Sequence, residues 1–343
     1  MSSASYYLKV VAGTAAALVL GSLLMRLMDE EHDYARGVAS GSYQERKHRF
    51  APGGETHNWF DDHFFLNKDG LAIFYRRWLP SVGHGPLVKG VVVVSHGLGE
   101  HSGRYHRLAS LLAGKGYAVY ALDHQGHGQS EGTRVHVKWF GDYVADVHQL
   151  TELAKSKHAG VDKVFLVGHS MGALIAIHAA HDAPRLYNGV VLSAPPISRS
   201  ALPPGAAAVL PTVASLLPKA PGPGLDLASL CRDKSVVDRY HNDPLNNMGP
   251  LTVRLLSEVI GAMAKVDTIK GKFATPFLLM HGTDDLMCLH EGSVDFHKSS
   301  PSQDKKFVSY KDAFHELFNE PDALDTSIAE TLNWLDQRQA IKH

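Results

Sequence analysis

The chain is short of cysteine, of net charge and of metal-binding motifs, and each shortage removes a class of protein. Only Cys231 and Cys288 occur in 343 residues, so no disulfide framework holds the fold and a reducing compartment is the simpler expectation. The formal net charge is −1, so no field of one sign steers the molecule onto nucleic acid. No long basic run with interleaved aromatics is found either, and no nucleic-acid role is expected. HExxH and CxxC are both absent. The 22 histidines invite a metal reading all the same, and "DHQGHG" at Asp123–Gly128 has His-x-x-His spacing. Its glycines, following an apolar run, read instead as a tight turn carrying surface histidines. Neither a metal nor a cofactor is expected.

What is present is enough apolar residue, 44% of the chain, to bury one large domain with an insertion. One uncharged stretch of 16 residues, "VVAGTAAALVLGSLLM", lies between Lys9 and Arg26. With snorkelling ends and Tyr6 and Tyr7 it just reaches membrane-spanning length. Residues 1–35 are therefore expected to be a membrane anchor, with a cleaved targeting segment or a helix packed on the domain as alternatives. Lys9 and Arg26 nearly balance across it, so charge does not assign an orientation. Residues 36–60 are polar and without period, and read as a linker.

From there strands and helices alternate. "DHFFLNKDGLAIFYRRW" predicts a β-hairpin turning at Asn67–Gly70. "KGVVVVSHG", "GYAVYALD", "VDKVFLV", "NGVVLSAP", "TPFLLMHG" and "KKFVSY" are short continuous apolar runs, as strands buried on both faces of a parallel sheet require. The pattern predicts a mostly parallel, doubly wound α/β sheet, with core segments 61–196 and 272–343. Residues 197–271 break the alternation and read as a mostly helical cap inserted between two strands. Leu210, Val213, Leu216 and Leu217 stand at helical spacing there, to pack on the cap's underside or to face lipid.

The chemistry centres on "VFLVGHSMGALIAIHAA", Val164–Ala180, where Gly-x-Ser-x-Gly joins a strand-like run to a helix-like one. Such a junction holds a serine hydroxyl in the open on a sharp turn. Serine is a weak nucleophile unless a base takes its proton and a carboxylate orients that base. Downstream, Asp285 follows one strand and His315 the next, giving the chain order Ser170, Asp, His of an α/β-hydrolase. Asp284 is the rival orienter; Asp285 is preferred because it lies three residues past the strand-end Gly282. The backbone N–H groups of Met171 and of Leu98, in "HGLGEH", are the expected oxyanion-hole donors.

The blocks "HGLGEHSGRY", "DHQGHGQSEG", "GHSMGA", "DRYHNDPL", "HGTDDLMC" and "YKDAFHELFNE" together resemble monoacylglycerol lipases over about Asp61–Gln337. The resemblance implies a cofactor-free serine hydrolase that splits a monoacylglycerol into fatty acid and glycerol. It places the catalytic groups on Ser170, Asp285 and His315, the oxyanion amides on Leu98 and Met171, and the glycerol pocket on Glu100, Arg104, His169 and Tyr240. Glu100 and Arg104 also fit a structural pair that holds the oxyanion loop. Two departures bear on head-group and chain-length preference. Phe318 stands where the family often has a second histidine, and the cap segment "PPGAAAVLPTVASLLPKAPGPG" is individual. Cys288, three residues past Asp285, is expected beside the site. A lysophospholipase or a broad carboxylesterase or thioesterase would use the same triad. The expected partners are a lipid ester and a membrane, met through the N-terminal segment and the cap, with the catalytic domain in the cytosol.

Overall fold

The computed structural model describes residues 63–80, 88–197 and 206–339, so the expected anchor and linker lie outside the described residues. Among the described residues no helix is long and apolar enough to cross a membrane. The eight strands are β1 (Phe64–Leu66), β2 (Ala72–Trp78), β3 (Gly90–Ser95), β4 (Tyr117–Leu122), β5 (Val164–His169), β6 (Gly189–Ser193), β7 (Phe277–Gly282) and β8 (Lys305–Tyr310). They form one sheet in the order β1-β2-β4-β3-β5-β6-β7-β8. The pairs β1·β2 and β2·β4 are antiparallel, and every later pair is parallel. The protein has the α/β-hydrolase fold.

Five of the six apolar runs become inner strands because both faces of the sheet are covered there, whereas "KKFVSY" forms the edge strand β8, whose residues are only half-buried or exposed. Alternate residues of β3 go to opposite cores: Val91 and Val93 join one cluster, Val92 and Val94 the other. Helices α1 (His106–Gly114) and α8 (Leu324–Gln339) close one face through Leu108, Leu112, Trp334 and Leu335. Helices α2 (Phe140–Ser156) and α3 (Met171–Asp182) close the other through Tyr143, Val147, Leu174 and Ile177. The expected hairpin forms between β1 and β2, with Gly70 at φ 76° and the Asn67 side chain accepting from the Asp69 and Leu71 amides.

Between β6 and β7 lie α4 (Ala206–Leu216), α5 (Lys234–Asn242) and α6 (Val253–Ile269), with no strand among the described residues of that stretch. The apolar stripe of α4 divides. Leu210, Val213 and Leu217 pack with Ala214, Ala220 and Val253, whereas Val209 and Leu216 are exposed at 57% and 68%. Helix α7 (His290–Ser299) completes the order.

One expectation needs correcting. The turn at "DHQGHG" is there, with Gly126 and Gly128 at φ 74° and 50°, but His124 and His127 are buried rather than on the surface. His124 meets Ser95 Oγ through Nε2 at 2.8 Å, and its amide donates to His96 Nε2 at 2.9 Å. The histidines pack beneath the loop that follows β3, where burial pushes His127 down to about 3 and keeps it neutral.

Candidate active site

Ser170 stands between β5 and α3 at φ 53° and ψ −123°, a left-handed conformation that a side chain rarely adopts. Holding it there costs on the order of 1–3 kcal/mol, and the flanking glycines explain how the surroundings enforce it. A Cβ on Gly168 would lie 2.3 Å from the Gly172 carbonyl oxygen, and one on Gly172 would lie 2.0 Å from that of Ser95. The motif thus has glycine where backbone meets backbone. The Ser170 amide donates to Ser193 O at 2.9 Å, and its carbonyl accepts from Ala173 and Leu174, which starts α3.

Asp285 and His315 meet in the same place. His315 Nδ1 and Asp285 Oδ2 are 2.7 Å apart, both residues buried. Asp285 Oδ1 accepts from the Met287 and Cys288 amides at 2.9 Å each. His281, at the end of β7, adds a contact that sequence reasoning missed. Its Nε2 lies 3.2 Å from Asp285 Oδ2, and its Nδ1 is anchored 2.6 Å from Ser293 Oγ. The i, i+4 spacing across the turn after β7 was the available signal. Asp284, the rival orienter, points to solvent and takes a bond from Thr283.

Burial would raise the Asp285 carboxyl, but His315 and His281 outweigh it and hold it well below the usual carboxylate range. Burial would lower His315, but Cys288 and Asp285 outweigh that and hold it above its ordinary 6.5. Cys288 is where the sequence placed it. Its sulfur and the ligand atoms of Asp285 and His315 lie within 4.8 Å of one another, and burial keeps its thiol up while His315 and Ser170 draw it down.

The amides of Leu98 and Met171 make no hydrogen bond among the described residues. Both residues line a cavity of about 150 Å³ together with Ser170, His315 and the apolar Leu225, Leu230, Val259 and Met287. Glu100, His169 and Tyr240 line it too. Arg104 does not, and lies behind Glu100 and Glu316 in a small adjoining space with Phe318.

The Glu100–Arg104 pair forms, and its bonds are of the loop-holding kind. Glu100 Oε1 accepts from the Gly97 amide at 2.6 Å and from Tyr105 OH at 2.5 Å, and Oε2 accepts from Arg104 at 2.6 Å. Gly97 immediately precedes Leu98, so this carboxylate fixes the loop that carries the Leu98 amide. Glu316, which the sequence reading passed over, takes the other side of Arg104 through both of its oxygens. Its position directly after His315 was the clue. Tyr240, on α5, lies over Arg104 at 4.8 Å from guanidinium to ring. Burial pushes His169 down to about 3, so it is a neutral wall, 4.7 Å from the His315 ring.

Comparison with known proteins decides the family. Residues 86–322 match the family model described as serine aminopeptidase, S33. The chain is 38% identical to mouse monoglyceride lipase over 281 residues, which is 80% of this chain and 90% of that one. This chain belongs to the monoglyceride lipase family. Among solved structures, the Paleococcus ferrophilus monoacylglycerol lipase superposes with a TM-score of 0.70 at 30% identity, covering 78% of this chain and 99% of that chain. A soluble variant of Saccharomyces cerevisiae monoglyceride lipase, solved with a substrate analogue, gives 0.70 at 26% identity, covering 81% and 95%. Family membership makes the protein a serine ester hydrolase of the α/β-hydrolase fold.

Proposed function

We propose that the protein hydrolyses monoacylglycerols to a free fatty acid and glycerol through an acyl-enzyme on Ser170. The observation that carries this reading is the convergence of Ser170, the His315–Asp285 pair and two unoccupied backbone donors on one apolar-walled cavity. Ser170 Oγ attacks the ester carbonyl while His315 Nε2 takes its proton. The negative charge that develops on the carbonyl oxygen meets the Leu98 and Met171 amides, and losing one such donor typically costs about 10²–10³ in rate. Collapse breaks the ester C–O bond, and His315 returns the proton to the departing glycerol oxygen. Water then attacks the acyl-enzyme, with His315 again the base, and releases the carboxylate and Ser170.

The apolar walls support the lipid class. Leu225, Leu230 and Val259 come from the insertion, and apolar area binds an acyl chain at about 0.8 kcal/mol per buried CH₂. We assign residues 197–271 as the cap on these grounds, with Glu100, His169 and Tyr240 facing the glycerol head and Arg104 bracing Glu100 from behind. Residues 1–35 act as a single membrane anchor, holding a cytosolic catalytic domain where such esters partition.

The test is fatty-acid release from 2-monoacylglycerol, lysophosphatidylcholine and an acyl-CoA in parallel, with Ser170→Ala as the blank. A lead of ten-fold or more for monoacylglycerol, about 1.4 kcal/mol of transition-state preference, is expected. A lead by another substrate overturns the glycerol-pocket assignment and leaves the triad standing. No difference from the blank on all three overturns both.

A further inference from the structure

A second cavity, of about 440 Å³, lies between β2, the loop after β3 and the insertion helix α5. Its size falls in the range of small-ligand sites, about 300–1,000 Å³. Arg76 and Trp78 reach it from β2, Arg104 and His106 from the β3–α1 region, and Arg239 and Asp243 from α5 and its C-terminal cap.

Most of the polar groups on these walls are engaged. Arg104 is held by Glu100 and Glu316. Asp243 accepts from His101 Nε2 at 2.9 Å and from the Leu245 amide at 2.9 Å. His101 Nδ1 accepts from the Gly103 amide at 3.1 Å, which leaves Nε2 as the donor to Asp243. His106 Nδ1 accepts from Trp78 Nε1 at 3.0 Å. Two guanidinium groups remain. Arg239 donates only to Ser235 Oγ within its own helix, at 3.0 Å; among the described residues no carboxylate lies within ion-pair distance of it, though after the Ser235 hydrogen bonds its charge helps to lower the Asp233 carboxyl from a distance. The Arg76 side chain makes no hydrogen bond or ion pair among the described residues; its Nε is buried without a partner, and its one contact of note is the Phe74 ring at 5.1 Å. A buried donor left unmade costs about 1–3 kcal/mol, more when charged. Two guanidinium forks without a carboxylate in contact, lining one cavity from different elements, are the groups that bidentate recognition of an oxyanion uses.

We propose that this cavity is an oxyanion-binding site, in which a small carboxylate or phosphate monoester bridges Arg76 of the sheet to Arg239 of the insertion. The bridge has a consequence at Ser170. Helix α5 also carries Tyr240, which lines the Ser170 cavity and stacks on Arg104, so an anion that ties α5 to β2 holds one wall of the first cavity in place. The coupling is reciprocal: a substrate that seats Tyr240 tightens the anion as well. The oxyanion has two chemical sources. One is the carboxylate released by the proposed hydrolysis, and the other is a phosphorylated small molecule from solution.

Isothermal titration of the full-length protein with inorganic phosphate, glycerol 3-phosphate and hexanoate, at constant ionic strength, tests the site independently of substrate choice. Saturable binding is expected for at least one anion, weakened ten-fold or more by either Arg76→Gln or Arg239→Gln, with hydrolysis of a soluble short-chain ester in anion-free buffer unchanged. Because Arg239 is solvent-exposed, its variant keeps the test valid should Arg76→Gln misfold. Binding of hexanoate alone assigns the site to the product carboxylate, and binding of the phosphates alone assigns it to a solute. No heat from any of the three up to about 20 mM, or binding that both variants leave intact, overturns the proposal.

Discussion

The imidazole of His315 sits between a carboxylate that raises its proton affinity and a thiol that shares its space, and its pH response follows from that setting. In the proposed mechanism only the neutral ring can take the Ser170 proton. Since the ring is held above its ordinary 6.5, it stays protonated over a range in which a free histidine is already neutral, and activity rises with pH through the higher value. The expected kcat/KM profile therefore has an acid limb centred above 6.5. Asp285→Asn is expected to lower kcat about 10⁴-fold with little change in KM, and to move the residual acid limb downward, because one of the two groups that raise the ring against burial is then lost. A pH-rate profile of both proteins checks this. An unmoved limb in the variant would show that Asp285 is not the orienter. Asp284, exposed and turned toward Thr283, then has no geometry to replace it.

At the scale of elements, Asp146 ties three of them together. It lies on α2 and accepts from Asn67 in the β1–β2 turn at 3.4 Å and from Gln125 in the turn after β4 at 3.2 Å. Burial lifts its carboxyl from 3.8 to about 7, outweighing both hydrogen bonds. The folded state therefore binds a proton at Asp146 that the unfolded chain has already released. The stability this contributes is present below pH 3.8 and is lost as pH rises towards about 7. Asp146→Asn keeps the shape without the titration. Urea unfolding at low and neutral pH is expected to show the native protein losing on the order of 2–4 kcal/mol relative to the variant between those limits. Parallel curves for the two proteins would place the titration elsewhere. The same scale accounts for α3: its alanine-rich turns are buried along nearly the whole helix, between β5, α2 and α6, where a larger side chain has no room.

For the molecule as a whole, the proposed anchor is expected to be separable from the catalytic body. Removing residues 1–35 is expected to shift the protein from the membrane pellet to the supernatant, with kcat/KM on a soluble ester unchanged. Sedimentation of both forms with liposomes measures the first, and a soluble-ester assay the second. Retention of the shortened protein in the pellet would move the membrane contact to the insertion, where Val209 and Leu216 stand exposed. The insertion is also the part that joins the two cavities, since α5 contributes Tyr240 to one and Arg239 to the other.

Local sterics and burial patterns are written in short stretches of chain, and these the sequence determined by itself. Six runs became parallel strands, five of them because covered faces demand apolar residues and β8 as a half-exposed edge, and the Ser170 turn was readable because Gly168 and Gly172 stand where no Cβ fits. The positions of Asp285 and His315 followed from strand ends, which the runs themselves mark. What depends on contacts across long separations was decided only by the tertiary structure. Polar residue type misled at His124 and His127, because a histidine that finds Ser95 and His96 as partners is as buried as a valine. Glu316 is 212 positions from Arg104, His281 acts through a turn, and the anion cavity collects arginines from β2 and α5. No local pattern encodes such meetings, because the sheet order and the folding back of the insertion bring the partners together only after the chain has packed.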